Sequence, residues 1–316
     1  MTQQGFIKNR TITKIVFLGS KQIGLQAIRT IHAIAPGITC AVISIDDRQD
    51  SRSVYDEFQA FSKQSGIPLE IAANRKEADA LVHKYSPELC VVVGWYWLIG
   101  PEMLTAIPNG FIGIHHSKLP KYRGGAPVVW AIMNNEKEAG TSLFSFADGI
   151  DNGPIWGQGV VPINPEDDIK TVVDRLEKTA VELLQDNLPG ILDGTISPTW
   201  QDETQATYCS QRYPRHGLID WNKPANTIYN FVRANTEPYP GAFTFFKGQK
   251  IQIWKARLFD FDYYGTPGQV AQLSETGVYV ICGDNKALIV EEIGVEGQRL
   301  PAHVYIKSIK TGFTAQ

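Results

Sequence analysis

The feature that most constrains the fold is a repeated alternation of short apolar runs with amphipathic stretches over residues 13–114. Lys14–Gly19 is typical of a buried strand, and the apolar residues at 23, 27, 28 and 31 then share one helix face. Because single helices separate successive strands, the pattern predicts an α/β fold with a doubly wound, mostly parallel sheet. The further strands are predicted at Thr39–Ile45, Pro68–Ala72, Glu88–Val93 and Gly110–Ile114.

Sheets of this kind bind ligands outside the carboxyl ends of their strands. The turns after Leu18, Val93 and Ile114 are therefore the places to look for a site. The first turn, Gly19–Gly24, lacks both the G-x-G-x-x-G spacing and the Lys-Ser/Thr pair of nucleotide-binding loops. We therefore interpret it as a tight strand-to-helix turn.

The second half of the chain changes character. An amphipathic helix is predicted over 168–188, ending at Pro189-Gly190, and the polar stretch 201–216 is typical of a linker. After a helix over 225–233, short strands separated by Gly, Asp and Asn turns indicate a small OB-like β-barrel. We therefore expect a first domain over 1–200 and a C-terminal domain over 217–316. The barrel strands are predicted at Ala242–Phe246, Ile251–Leu258, Gly268–Leu273, Val278–Cys282 and Ala287–Glu291.

Composition excludes several classes of protein. The 316 residues carry a net charge of −3, which argues against a protein that depends mainly on neutralising phosphate backbones. The four cysteines lie far apart without a CxxC pair, so neither a disulfide framework nor a zinc cluster is expected, and no metal is predicted. No apolar run is long enough to span a bilayer, and the N-terminal segment does not read as a signal peptide, so we predict a cytoplasmic protein.

Two clusters carry residues suited to catalysis. His115 and His116 end an apolar strand, where one ring can face a ligand cleft as a general base. Asp148 and Asp151 lie among glycines, in a loop that could bring a carboxylate beside an imidazole. An ordinary surface histidine and a plain Asp-Gly hairpin turn explain the same residues, so spacing alone leaves both interpretations open.

Taken together, the motifs resemble the signature of the folate-dependent formyltransferase family. The first-domain motif is His115-x-Ser117-x-Leu119-Pro120-x-Tyr122-Arg123-Gly124-x-Ala126-Pro127, followed by Gly149-Ile150-Asp151-x-Gly153. The second-domain pattern is Gly217-Leu218-Ile219-Asp220-Trp221 and Glu237-Pro238-Tyr239-Pro240-Gly241-Ala242-Phe243. The resemblance covers roughly residues 13–300.

The resemblance implies 10-formyltetrahydrofolate as co-substrate and a primary amine as acceptor. His115 matches the family's catalytic histidine and Asp151 the aspartate that holds it. Two segments match those that hold the folate pteridine, and a third borders the formyl group and acceptor. They are Trp97, Leu98 and Ile99; Ala147, Asp148, Gly149 and Ile150; and Ser117, Leu119 and Pro120.

One departure stands out at Gly113, where the family places asparagine. Loss of one oxyanion donor typically costs about 10²–10³ in kcat. Either His116, Ser117 or water supplies the missing donor, or the acceptor chemistry differs, or activity is weak. We name His116 as the preferred substitute. A folate-binding protein without transfer, or a hydrolase that releases formate, is kept as an alternative.

The charge of the C-terminal part is the basis for choosing between two classes of acceptor, an RNA and a nucleotide-linked sugar. Residues 206–316 contain twelve Lys and Arg against nine Asp and Glu, a mild excess compared with a typical RNA-binding face. The diphosphate of a nucleotide-linked amino sugar needs only local cations, for which Lys118, Lys121 and Arg123 are available. We therefore expect an amino-sugar acceptor, with methionyl-tRNA as the alternative, and we allow for a homodimer.

Overall fold

The computed structural model describes residues 11–315. The first ten residues, part of the segment on which the signal-peptide prediction rests, lie outside it. The described chain forms two compact units. One comprises the described residues up to Gly124 together with 140–161 and 175–208, and the other comprises 125–139, 162–174 and the chain from Cys209 onward.

The elements follow one another in an order close to the predicted one. In the first part of the chain they are β1 Ile15–Gly19, α1 Lys21–Ile34, β2 Thr39–Ser44, α2 Tyr55–Ser65, β3 Leu69–Ile71, α3 Arg75–Tyr85, β4 Leu89–Val93, α4 Pro101–Ala106, β5 Phe111–His115, β6 Arg123–Gly124, α5 Pro127–Met133, β7 Glu138–Ser145, β8 Ile155–Pro162 and α6 Ile169–Asp193. The remainder are β9 Tyr208–Cys209, α7 Ala225–Asn235, β10 Ala242–Phe246, β11 Gln249–Asp262, β12 Val270–Ser274, β13 Gly277–Ile281, β14 Lys286–Val295, β15 Gln298–Pro301, α8 Ala302–Tyr305 and β16 Phe313–Thr314.

The sheet of the first unit has the strand order β3-β2-β1-β4-β5-β7-β8. The five strands β1 to β5 run parallel, whereas β7 runs antiparallel to β5. The predicted mostly parallel sheet is therefore confirmed. The strands β7 and β8, which extend it, were not predicted from the sequence.

Apolar residues cover both faces of this sheet. Phe17 of β1 packs in one cluster with side chains of α1, α2 and α6. The neighbouring Leu18 points to the opposite face, where it packs with residues of α3 and α4. Because adjacent strand residues face opposite ways, burial on both sides requires helices on both sides, which is the doubly wound arrangement.

Helix α6 is longer than the sequence predicts. It continues through Pro189 to Asp193 instead of ending at the Pro-Gly pair. Proline in a helix removes one backbone hydrogen bond and normally ends or kinks the helix. Here Leu188, Ile191 and Leu192 are buried in the core, and their packing offsets the lost bond.

The second unit contains a curled antiparallel sheet with the order β12-β13-β14-β11-β10-β16, and β15 pairs with β14. Inward residues such as Ile253, Val280 and Leu288 pack with Ile228 and Val232 of α7. This arrangement agrees with the predicted OB-like domain. Among residues 11–315, none of the helices combines the length and apolar character needed to cross a bilayer.

Candidate active site

His115 lies at the carboxyl end of β5, as the sequence predicts. Its Nε2 lies 3.0 Å from the Tyr122 carbonyl oxygen, and its Nδ1 lies 3.7 Å from Oδ2 of Asp151. A carbonyl can only accept a hydrogen bond, so Nε2 carries a proton and donates it. Nδ1 is therefore the ring nitrogen that can gain or lose a proton, and it does so beside a carboxylate.

Asp151 reaches His115 because the loop after β7 folds back along β5. At the start of this loop the Phe146 N–H donates to the carbonyl of Phe111, the first residue of β5. The end of the loop places Asp151 beside His115, the last residue of β5. The Asp151 carboxylate also accepts the Gly124 N–H at 2.7 Å. The predicted imidazole–carboxylate pair is thus present in the structure.

Both partners of His115 have unusual backbone conformations. Tyr122 has φ 56° and Asp151 has φ 46°, in the left-handed region that residues other than glycine seldom adopt. Such conformations cost about 1–3 kcal/mol each and persist only where surrounding contacts impose them. The Tyr122 N–H donates to Thr207 Oγ1 at 2.9 Å, which is one such contact.

His116 faces a different partner. Its Nδ1 lies 3.2 Å from Oγ1 of Thr141, on strand β7. Burial, with a smaller contribution from neighbouring His115, lowers the pKa of His116 to about 4, so the ring is neutral near pH 7. The structure does not bring His116 to Asp151. Its role as a substitute oxyanion donor therefore remains a prediction.

The segments predicted to hold the folate have exposed apolar side chains. Trp97, Leu98 and Ile99 lie between β4 and α4, and the Trp97 ring packs edge-on against Trp95 with centroids 5.2 Å apart. Leu98 is 86% exposed and Ile150, in the loop after β7, is 60% exposed. Each of the two segments thus presents one large apolar side chain at the surface.

The other predicted site residues lie in the two loops around His115. Ser117 is buried and its hydroxyl donates to the Lys121 carbonyl at 2.7 Å, so that proton is already engaged. Leu119 is buried, and Pro120 follows it through a cis peptide bond. Ala147, Asp148 and Gly149 form the loop that leads to Ile150 and Asp151.

The structure explains why residue 113 is glycine. A Cβ atom there would lie 2.5 Å from the Val92 carbonyl oxygen and 2.7 Å from the Phe146 ring. An asparagine, which the resemblance implies at this position, therefore has no room without a shift of backbone. The Phe146 ring fills the adjoining space, stacked on Phe111 and tilted against Phe144.

Two residues of the site were missed by sequence reasoning or misplaced by it. Arg123, expected at a substrate diphosphate, is 0% exposed, and its guanidinium donates to buried Gln201 and to exposed Glu203. Gln201, expected in a polar linker, is buried and donates to the carbonyls of Asp151 and Gly153. Within residues 11–315, no group of three His, Cys, Asp or Glu side chains is placed to hold a metal ion.

The chain matches two family models. Residues 14–188 match the formyl transferase model, and residues 213–310 match the model of the formyl transferase C-terminal domain. A methionyl-tRNA formyltransferase of Caldanaerobacter subterraneus subsp. tengcongensis is 32% identical over 90% of this chain and 93% of its own. The methionyl-tRNA formyltransferase of Trichlorobacter lovleyi is 30% identical over 90% of both chains.

A solved structure shows the same fold. It is WlaRD, a sugar 3N-formyl transferase crystallised in the presence of dTDP and 5-N-formyl-THF. It is similar with a TM-score of 0.65 and 20% identity, over 89% of this chain and 97% of the other. The family models cover most of the described chain and agree with the fold and with the motif around His115, so the chain belongs to the formyl transferase family.

Proposed function

We propose that this protein transfers a formyl group from 10-formyltetrahydrofolate to the primary amine of methionyl-tRNA. The observation that carries the proposal is the pairing of His115 Nδ1 with the Asp151 carboxylate, at the end of β5 in a chain of the formyl transferase family. The exposed apolar side chains of Leu98 and Ile150 would fit a planar pteridine, which supports a folate donor.

The proposed reaction needs a group that accepts a proton from the amine and a second group that stabilises the positive charge the first one gains. As the amine nitrogen bonds to the formyl carbon, it must lose a proton, and we assign the acceptance of that proton to His115 Nδ1, which lies beside the Asp151 carboxylate. Asp151 stabilises the resulting imidazolium. When the bond between the formyl carbon and the donor nitrogen breaks, the same Nδ1 returns the proton to that nitrogen.

The names of the relatives support the choice of acceptor. The small charge excess of residues 206–316 favours an amino sugar, but the relatives at 30% and 32% identity are named for methionyl-tRNA. The burial of Arg123 also removes one of three cations expected at a nucleotide diphosphate. Methionyl-tRNA is therefore the better-supported acceptor. The weak positive charge of residues 206–316 keeps the nucleotide-linked amino sugar as second candidate.

The experiment is a panel of acceptors incubated with purified protein and formyl donor. Methionyl-tRNA, free methionine and a nucleotide-linked amino sugar are each examined by mass spectrometry for the addition of one formyl group. We expect transfer to methionyl-tRNA. Transfer to the sugar alone would refute the acceptor assignment, and formate release without any amine would identify a hydrolase. Folate binding without transfer or release would refute catalysis.

A further inference from the structure

We propose that Gln201 is a positioning residue of the active site: its amide fixes the backbone of Asp151 and thereby holds the carboxylate at His115. This inference rests on the proposed function, because it assigns Gln201 a part in the same reaction. The structural basis is a continuous hydrogen-bond chain from buried Arg123 through Gln201 to the loop that carries Asp151.

The first link fixes the orientation of the Gln201 amide. Nε and Nη2 of Arg123 donate to Oε1 of Gln201 at 3.0 and 2.7 Å. A guanidinium can only donate, so the atom it contacts must be the amide oxygen. Arg123 is 0% exposed, so no bulk water competes for these bonds.

The second link connects the amide nitrogen to the loop. Nε2 of Gln201 donates to the carbonyl of Asp151 and to that of Gly153, both at 2.7 Å. Its two N–H groups are therefore both used, and by backbone rather than side chains. Gly153 lies so close to strand β7 that a Cβ there would be 1.7 Å from the Ser145 carbonyl oxygen, so a side chain does not fit at this position.

The third link returns to Arg123. The Asp151 carboxylate accepts the N–H of Gly124, the residue next to Arg123 in strand β6. The carbonyl and the carboxylate of Asp151 are thus tied to the same support. Asp151 keeps its left-handed conformation against a cost in free energy, and Gln201 supplies a bond that compensates for it.

The decisive variant is Gln201→Glu. A glutamate keeps the acceptor for Arg123, and its charge strengthens that bond. It loses both donors and places a carboxylate oxygen against two carbonyl oxygens. We expect a normal far-UV circular dichroism spectrum and a fall in kcat of roughly 10- to 100-fold, typical when a support of a functional side chain is lost.

Glu203→Gln is the matched control. Glu203 also accepts from Arg123, at 2.9 and 2.7 Å, but no bond between it and the Asp151 loop is seen in the structure. Its side chain is 63% exposed, so the folded state should tolerate the change. We expect kcat within about twofold of wild type, as for most surface substitutions. An equal loss in both variants would assign the effect to Arg123 and overturn the proposal, as would an unchanged kcat in Gln201→Glu.

A second measurement needs no substrate and separates this inference from the proposed function. In a ¹H–¹⁵N spectrum of the histidine rings, the His115 signals are assigned by their loss in His115→Ala. We expect them to shift in Gln201→Glu and to stay in place in Glu203→Gln. Unshifted signals would overturn the positioning role even if the wild-type enzyme formylates neither acceptor.

Gln201→Met provides the same test if the glutamate variant fails to fold, because it removes both donors without adding charge. We expect the same loss of kcat and the same displacement of the His115 signals. If both variants unfold at the assay temperature, Gln201 is a folding residue and the positioning role is refuted.

Discussion

At the scale of single residues, the chemistry depends on which nitrogen of His115 is free. The Tyr122 carbonyl occupies Nε2, and we therefore assign the proposed proton transfer to Nδ1 beside Asp151. General acid–base catalysis contributes about 10²–10⁴-fold to rate. We expect His115→Ala to lower kcat by that factor. Folate affinity, measured by isothermal titration with a non-hydrolysable analogue, should change by less than about threefold, because an acid–base group adds little to ground-state binding.

The companion variant is Asp151→Asn. An asparagine oxygen still accepts the Gly124 N–H, so the loop should keep its place. The charge that stabilises the imidazolium is lost, and kcat should fall while the fold is retained. Full turnover in either variant would refute the assignment of proton transfer to His115.

His116 gives a prediction on stability. Its folded-state pKa of about 4 lies below the value of about 6.5 for an unperturbed histidine. Between these values the unfolded chain binds more protons, so the free energy of unfolding falls as pH is lowered from 6.5 to 4. At about 1.4 kcal/mol per pKa unit, this contribution reaches roughly 3 kcal/mol at pH 4.

His116→Gln should remove that contribution, since glutamine does not titrate in this range. Urea unfolding at pH 7.0 and pH 4.5 measures the effect as the difference between wild type and variant. We expect the wild type to lose about 2 kcal/mol more than the variant on acidification. Equal losses would show that His116 is protonated in the folded protein without cost.

At the scale of elements, regular alternation is what made the sheet predictable. Strands β1 and β4 are apolar and buried throughout, and β2 and β5 are apolar in their central residues, because both faces of the sheet are covered. Strand β8 contains only two buried residues, Trp156 and Val161, and β7 joins the sheet antiparallel, so neither fits the parallel repeat. The end of α6 was missed for another reason: core packing of Ile191 and Leu192 overrides the local effect of Pro189.

The site was predictable only in part, and the reason is distance along the chain. The strand end and the glycine-rich acidic loop are local signals that left the pairing of His115 with Asp151 open, and the resemblance to the formyltransferase family supplied the expectation that the two residues meet. The contact of Arg123 with Gln201 joins residues 78 positions apart. Polar residues in 201–216 are typical of a linker, and no local pattern distinguishes a glutamine that faces solvent from one that satisfies buried carbonyls.

Strand β5 carries a prediction at this scale. Gly113→Ala places a Cβ 2.5 Å from the Val92 carbonyl on β4 and 2.7 Å from Phe146. Overpacking of this kind typically costs about 1–3 kcal/mol. We expect the free energy of unfolding of Gly113→Ala to be lower than that of the wild type by this amount. The loss in Gly113→Asn should be at least as large. The double variant Gly113→Ala, Phe146→Leu should recover only part of the lost stability, because the close contact with the Val92 carbonyl oxygen remains.

The measurement is urea unfolding of the three variants and the wild type. Gly110→Ala is unsuitable as a control because Gly110 has a φ of 69°, whereas Gln64→Ala changes an exposed residue of helix α2 and tests the method. A stable Gly113→Asn with raised kcat would show that β4 and β5 separate readily and that an oxyanion donor can be restored.

At the scale of the whole molecule, charge is distributed unevenly along the chain. Residues 206–316 carry three more positive than negative charges, whereas the complete chain has a net charge of −3. Such asymmetry favours contact between the C-terminal part and a polyanion. An excess of three charges is mild for an RNA-binding face. The proposed methionyl-tRNA acceptor would nevertheless gain more from it than an amino sugar with a single diphosphate.

Salt dependence of the reaction distinguishes these acceptors. Binding that neutralises several RNA phosphates releases counterions, and the affinity falls with a logarithmic slope of about −0.7 to −0.9 per phosphate contact. Four contacts would lower kcat/KM for methionyl-tRNA roughly 50- to 150-fold between 50 and 200 mM salt. The KM of the formyl donor serves as the internal control. It should depend less on salt, because a small ligand carries few charges that salt can screen. A kcat/KM for methionyl-tRNA that is flat over this range would show that the C-terminal charge does not engage the RNA, and recognition would then rest on the amino acid and the end of the acceptor alone.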